Sequence, residues 1–365
     1  MAALLWAVVV GVRTLAAAHP LVVERVYARQ VYPRVAAATA ALTAAFPFSV
    51  AEAAVLLLAP ALPWWAWRTV RSRRASGGGR MEVAAKVLRT TAFAGAAVLL
   101  FDLMWALNYH RQPVAVLLSY EVSPVSAEEL AALTSGLIEE SARLREGLLE
   151  DADGVLRLGD GRSGALGRAA RAFRSDGLGA LPVPRMPARP KTFLASTAMA
   201  YLGISGLYVP FTAEPTVNAT LPDWEIPFTA AHELAHQHGF AREDDANYVG
   251  YRACRAHPDR DFRYSGTFRA ALYALSALSG ADRPASARVR SALPPPLQRD
   301  LRALAAWAAR YEGPLAAAQE RVNHAYLKTQ GQPEGVRSYG RMVDLLVAER
   351  RAALARRPDG AAPER

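Results

Sequence analysis

Residues 227–247 read PFTAAHELAHQHGFAREDDAN, and this stretch decides what the rest of the chain has to build around. His232, Glu233 and His236 form an HExxH run. On a helix, positions i and i+4 share a face, so both imidazoles turn to one side and can share a metal ion. Glu233 then lies beside them, placed to act on a water polarised by that metal. Gly239 follows, and glycine alone enters the left-handed region without strain, so it can stop the helix and reverse the chain. Just past this turn come Glu243, Asp244 and Asp245, an acidic cluster able to supply a third ligand.

These residue types suit metal-assisted hydrolysis. A catalytic zinc keeps three protein ligands and one open position for water, whose pKa it brings down to roughly 7. His232 and His236 provide two ligands, and Glu233 is the general base that takes the proton and returns it to a leaving amine. Glu243 is the first choice for the third ligand, with Asp244 and Asp245 as substitutes. Glu243, Ala246 and Asn247 give an ExxAN pattern. It is similar to the ExxAD third-ligand helix of membrane gluzincin peptidases, with Asn247 where those proteins carry an Asp that orients a ligating His. The same stretch follows the HExxHxxGxxH frame of metzincins up to its last position, where Arg242 stands and cannot ligate a cation.

Other readings of the stretch are weaker. His238 lies two residues past His236 and points away from the pair on a helical wheel, which makes it a turn or surface residue. A di-iron site needs a second ExxH, and none of the other histidines has a Glu three residues before it. Burial of the motif in a membrane is excluded by Asp223, Glu225, Arg242 and the acids that follow. For a donor aimed at a developing oxyanion, the segment 324–341 offers His324, Tyr326, Tyr339 and Arg341, of which Tyr339, after a Gly-rich turn, is chosen. Packing of the Tyr339 ring is the plainer alternative.

The surrounding composition divides the 365 residues in two. Hydrophobic residues make up 52% and their excess lies in the first 110 residues, a pattern of membrane helices followed by a water-exposed domain. Three spans are expected, at 2–18, 51–67 and 90–109. A signal peptide is the rival reading of 2–18, but its basic n-region is missing. Trp64, Trp65 and Trp67, and again Trp105 and Tyr109, look interfacial. Asp102 in the third span is costly in lipid, and a contact to another helix is its plainest use. Arg68, Arg71, Arg73, Arg74, Arg80, Lys86 and Arg89, with a Ser-Gly-Gly-Gly loop at 76–79, place the segment between spans two and three in the cytoplasm. Everything after His110 then faces outward. The net charge of +10 is dispersed arginine with no nucleic-acid-reading motif, and Cys254 alone permits neither an internal disulfide nor a Cys-based zinc site.

Residues 111–356 read as mostly helical. Ser126 and Glu129 form a capping box ahead of a helix over 127–149. Further helices are expected near 165–174, 265–279, 296–311, 314–329 and 338–356, before a disordered tail at 357–365. Short strands with proline interruptions at 207–212 and 216–218 fit edge strands beside the HExxH helix, where an extended substrate backbone can pair.

Taken together, PFSVAEA at 47–53, WALNYHRQP at 105–113, the stretch at 227–247, and YLKTQGQPEGVRSYGRMVDLL at 326–346 resemble a bacterial family catalogued as domain of unknown function 3810. The resemblance implies multi-span membrane anchors carrying a zincin-type motif, here His232, Glu233, His236 and the acids at Glu243. The expectation is thus a mostly α protein: transmembrane helices within 1–110, then a zincin-like, predominantly helical α+β domain with a small edge sheet. Its expected function is that of a bacterial cell-membrane metallopeptidase with one zinc ion, the bilayer and a peptide or protein as partners, and no nucleic acid. The alternative is a non-catalytic membrane protein that keeps the scaffold for binding or envelope assembly.

Overall fold

The computed structural model describes residues 1–355 apart from 62, 66, 69, 70, 72–79, 175, 188 and 336–339. The expected loop at 76–79, the tail at 357–365 and Tyr339 lie outside the described residues.

The chain is helical nearly throughout. Helices of nine residues or more begin with α1 (Ala2–Ala18), α2 (Pro20–Ala44, π-helical over Val23–Val31), α3 (Val50–Leu58) and α4 (Arg80–Met104). They continue with α5 (Ala127–Arg145) and α6 (Gly161–Ala169). A three-stranded sheet follows: β1 (Lys191–Thr192), β2 (Gly206–Val209) and β3 (Glu214–Val217). After it come α7 (Ile226–Gln237), α8 (Glu243–Arg255), α9 (Arg260–Ala281), α10 (Arg283–Ser291), α11 (Pro295–Tyr311), α12 (Pro314–Thr329) and α13 (Met342–Ala355).

Local sequence explains several of these boundaries. Ser126 Oγ accepts the Glu129 N–H while Glu129 accepts the Ser126 N–H, so the expected capping box opens α5. Proline in the first turn of α7, α11 and α12 forfeits no helical hydrogen bond. α9 packs along α5 and α8 against α7, burying Trp224, Leu234, Tyr248, Phe262 and Phe268 in one large core. Asp300, buried within it, accepts from Arg145, Tyr264 and the Leu156 N–H, so its charge is fully satisfied.

The sheet order is β1-β3-β2, with β2 antiparallel to β3 and lying at the edge. Both expected strands are present, but the first ends at Val209, three residues before its expected end, and the second starts two residues early; β1, only two residues long, has no pattern to show in the sequence.

The membrane expectation needs correcting. Among the described residues one helix is long and apolar enough to cross a bilayer, Ala84–Met104. At 1.5 Å per residue its 21 residues reach about 31 Å. The span expected at 90–109 therefore starts and ends earlier. Trp105 and Tyr109 are not an interfacial belt: they are 5% and 7% exposed and pack inward. α1 reaches span length only together with α2, across a 92° bend, and the apolar helix Val50–Trp65 falls short. Asp102 does contact another helix: Arg13 of α1 donates to both its carboxylate oxygens at 2.8 Å. The outward faces of α1 and α4 stay apolar, with Leu4, Val10, Leu15, Leu88 and Phe93 exposed.

Candidate metal centre

α7 carries the HExxH run and every one of its residues is buried. His232 and His236 fall one turn apart on one face, their rings 4.6 Å between centroids and nearly perpendicular. The helix ends at Gln237, and Gly239 at φ +84° reverses the chain. Space as well as conformation demands glycine there, since a Cβ would lie 3.0 Å from the Tyr32 ring and 3.1 Å from Asn108 Oδ1. Arg111 braces the turn by donating to the Gly239 carbonyl at 3.0 Å.

The turn delivers Glu243, the first residue of α8, to the two imidazoles. Its Oε2 lies 3.4 Å from His232 Nε2 and 3.5 Å from His236 Nε2, and one ligand atom from each of the three falls within 4.8 Å of the others. Glu243 Oε2 is buried without a hydrogen-bond partner among the described residues. A buried carboxylate oxygen left this way is costly, and a cation between the three atoms removes the cost. His236 Nδ1 donates to the Phe240 carbonyl at 2.8 Å, which leaves Nε2 free to ligate. His232 Nδ1 makes no well-formed hydrogen bond; the polar group set against this ring is Asn247, to which Tyr273 donates at 3.5 Å. The donor set fits a divalent cation.

Titration in the metal-free state follows from the same geometry. Burial works against ionisation of Glu243, but His236 and His232 outweigh it and hold the carboxyl down at about 2. Burial likewise opposes protonation of His236, yet Glu243 prevails and raises it to about 9. His232 is lowered by burial, with the charge of His236 adding to the effect. A cation must therefore displace the His236 proton. Metal binding near pH 8 should release nearly one proton from His236 and up to about half of one from Glu233, whose carboxyl the cation ionises, and affinity should rise with pH up to about 9 and then level off. Calorimetry in buffers of different ionisation enthalpy checks this.

Glu233 sits against the open edge of β2. Ser205 accepts from the Asn218 N–H at 2.8 Å, so by antiparallel alternation Gly206 and Tyr208 turn their backbone groups away from β3. Glu233 accepts a hydrogen bond from the Tyr208 N–H, and burial pushes its carboxyl up to about 8. Gly206 makes room for it: a Cβ there would overlap Glu233 Oε1 and sit 2.9 Å from its Cγ and Cδ. Gly206→Ala should leave metal content unchanged while pushing the Glu233 carboxylate away from the Tyr208 N–H, checked by metal analysis beside a structure of the variant.

All of this opens into a cavity of about 460 Å³. One wall is β2 and the next is aromatic: Trp105, whose ring lies 5.8 Å from His236 and 4.9 Å from Tyr208, with Phe101 and Tyr109. The far wall is α12, which presents Gln319, Asn323 and Tyr326. Tyr109 donates to Tyr326 at 3.3 Å. Burial and the charge of Glu243 raise the Tyr326 pKa, so its hydroxyl keeps its proton and remains a donor. Tyr326 is thus the described residue of the 324–341 group that faces the three ligands.

The other acids turn elsewhere. Asp245 accepts from Arg242 at 2.7 and 2.8 Å and from the Val114 N–H, while Asp244 lines a separate pocket with Arg242 and Arg341. His238 does lie in the turn but is not at the surface: it is 2% exposed and stacked on Phe173 at 4.7 Å. Trp105 and Tyr109 join the site from the WALNYHRQP motif, their one signal in the sequence, and Gly206 opens the short strand read from 207 onward without any signal of its own.

The chain belongs to the family described as Protein of unknown function (DUF3810), which matches residues 27–347. Among curated proteins and among solved structures, nothing matches it.

Proposed function

We propose that this protein is a membrane-anchored, zinc-dependent metallopeptidase of zincin-like construction. The observation that carries the reading is the Glu243 oxygen standing between two imidazole nitrogens, with Glu233 beside them at a free strand edge. His232, His236 and Glu243 hold the ion, and two nitrogens with one carboxylate oxygen is a donor set that suits zinc. A bound zinc supplies Lewis-acid polarisation of water and of a peptide carbonyl.

The chain's own residues do the rest. The backbone groups of Gly206 and the carbonyl of Tyr208 pair with an extended substrate, the Tyr208 N–H being held by Glu233. Glu233 takes a proton from the attacking water and hands it to the leaving amine. Its raised pKa belongs to the metal-free state, and a divalent charge nearby favours the ionised base that this step needs. Tyr326 donates to the developing oxyanion.

Sidedness rests on charge. Arg80, Lys86 and Arg89 lie at the start of α4 and the metal domain follows its end, which supports an extracytoplasmic site. The contact of α1 with α4 and the exposed Trp64, Trp65 and Trp67 support a multi-pass anchor. Elemental analysis of protein purified in detergent should find one zinc per chain, and a peptide-library digest should show cleavage lost on chelation and restored by zinc. Protein that carries no zinc and cleaves nothing would sink the reading.

A further inference from the structure

The membrane helix does not stop short of the metal centre; it ends in its wall. Phe101 belongs to the last turn of α4 and Trp105 is the residue after it, and both line the cavity. A second element brings the bilayer equally near. α1 packs along α4, and α2 leaves α1 at 92°, so with α4 upright α2 lies in the membrane plane. The outer face of α2 is what a headgroup layer receives: Leu21, Val22, Val26, Val31 and Val35 are exposed beside Arg25 and Arg34. From its inner face Tyr32 donates to the Gln237 carbonyl at 3.0 Å and meets the Tyr208 hydroxyl at 3.0 Å. The metal-bearing helix and the edge strand therefore stand on α2, about one helix diameter, or roughly 10 Å, from the bilayer.

The cavity is polarised along β2. At the C-terminal end of the strand, Phe211 is 48% exposed and packs on Phe101 at 6.0 Å, at bilayer level. At the N-terminal end, Gly203, Ser205, Gln319 and Asn323 continue the cavity into a second groove of about 640 Å³ that carries Glu312 and Glu320. A chain lying on the free edge thus has one end at the membrane and the other in a polar, acidic channel. Antiparallel addition, the slightly more stable mode, points the N-terminal side of that chain at the membrane.

We propose that the substrates are membrane-anchored polypeptides, cut just C-terminal to their own membrane segment. This rests on the peptidase reading and adds the substrate class. An extended substrate lying along β2 from Gly206 and on past Val209 to the level of Phe211 covers about five residues at about 3.3 Å each, which sets the cut about five residues from the bilayer.

The full chain in lipid nanodiscs tests this with a randomised peptide cassette in three forms: free, fused after a transmembrane helix, and fused before one. The cassette after the helix should be cleaved at least about tenfold faster than the free one, because tethering raises the local concentration. With Gly/Ser spacers of about 5 and about 20 residues, the cut should stay near the membrane rather than follow the cassette. Equal cleavage of free and tethered cassettes, or preference for the reversed fusion, overturns the proposal. If no form is cleaved, the peptidase reading fails, and placement is then decided by photo-crosslinking to Glu233→Gln. Benzophenone cassettes should crosslink near Leu207 and Phe211 only when fused after the helix. Crosslinking from the free peptide alike, or none from any form, overturns it.

Discussion

Glu233→Gln is expected to keep its metal and to lose peptide hydrolysis by about 10³-fold, within the range found for a positioned general base. The side chain is isosteric, so the room above Gly206 that holds the carboxylate also holds the amide. None of the three ligands is touched, since His232, His236 and Glu243 meet each other without Glu233. What changes is proton affinity: an amide oxygen can accept the Tyr208 N–H but cannot carry a proton from water to a leaving amine. The measurement is kcat beside zinc stoichiometry on the same preparation. Undiminished kcat removes Glu233 from the chemistry. If instead the variant keeps its zinc, loses hydrolysis and still supports the whole cellular phenotype, the non-catalytic alternative is the better account of the protein.

The ligand pair was legible because its geometry is local. An i, i+4 spacing on a helix sets His232 beside His236 whatever surrounds them, and Gly239 marks where the chain must turn. Among three adjacent acids Glu243 is the one that the fold sets beside the two histidines, because the start of a helix points successive side chains about 100° apart and only one can face back. The failures needed the tertiary structure. An aromatic at the end of an apolar helix serves equally in a headgroup belt or against another protein surface, and Trp105 and Tyr109 do the second. His238 falls in the turn, one of its two expected places, and the Gly239 turn folds it onto Phe173 instead of leaving it at the surface. Among the described members of the 324–341 group, the choice of Tyr326 was open in the sequence because it comes to the site by the docking of α12, a contact between residues far apart that no local pattern encodes.

Removing a ligand should have a different signature from removing the base: loss of metal first, and activity only as a consequence. Structural zinc sites with four protein ligands bind with roughly 10–16 kcal/mol, so an equal share is about 3 kcal/mol, or on the order of 10²-fold in affinity per ligand. His232→Ala and His236→Ala should each cost at least that much by competition with a chelating dye. Asn247→Ala, acting on His232 from behind, should cost about 10–100-fold. Glu243→Gln is the most informative of the set, because this carboxylate plays two parts. It is a ligand, and in the metal-free state it also raises the His236 pKa to about 9. The variant should therefore bind metal more weakly and also release fewer protons than the wild type on binding near pH 8. If it loses affinity while releasing as many protons as the wild type, the assigned coupling between Glu243 and His236 is wrong. Retained affinity with reduced release would instead mean that Glu243 sets the charge of the site without ligating the ion.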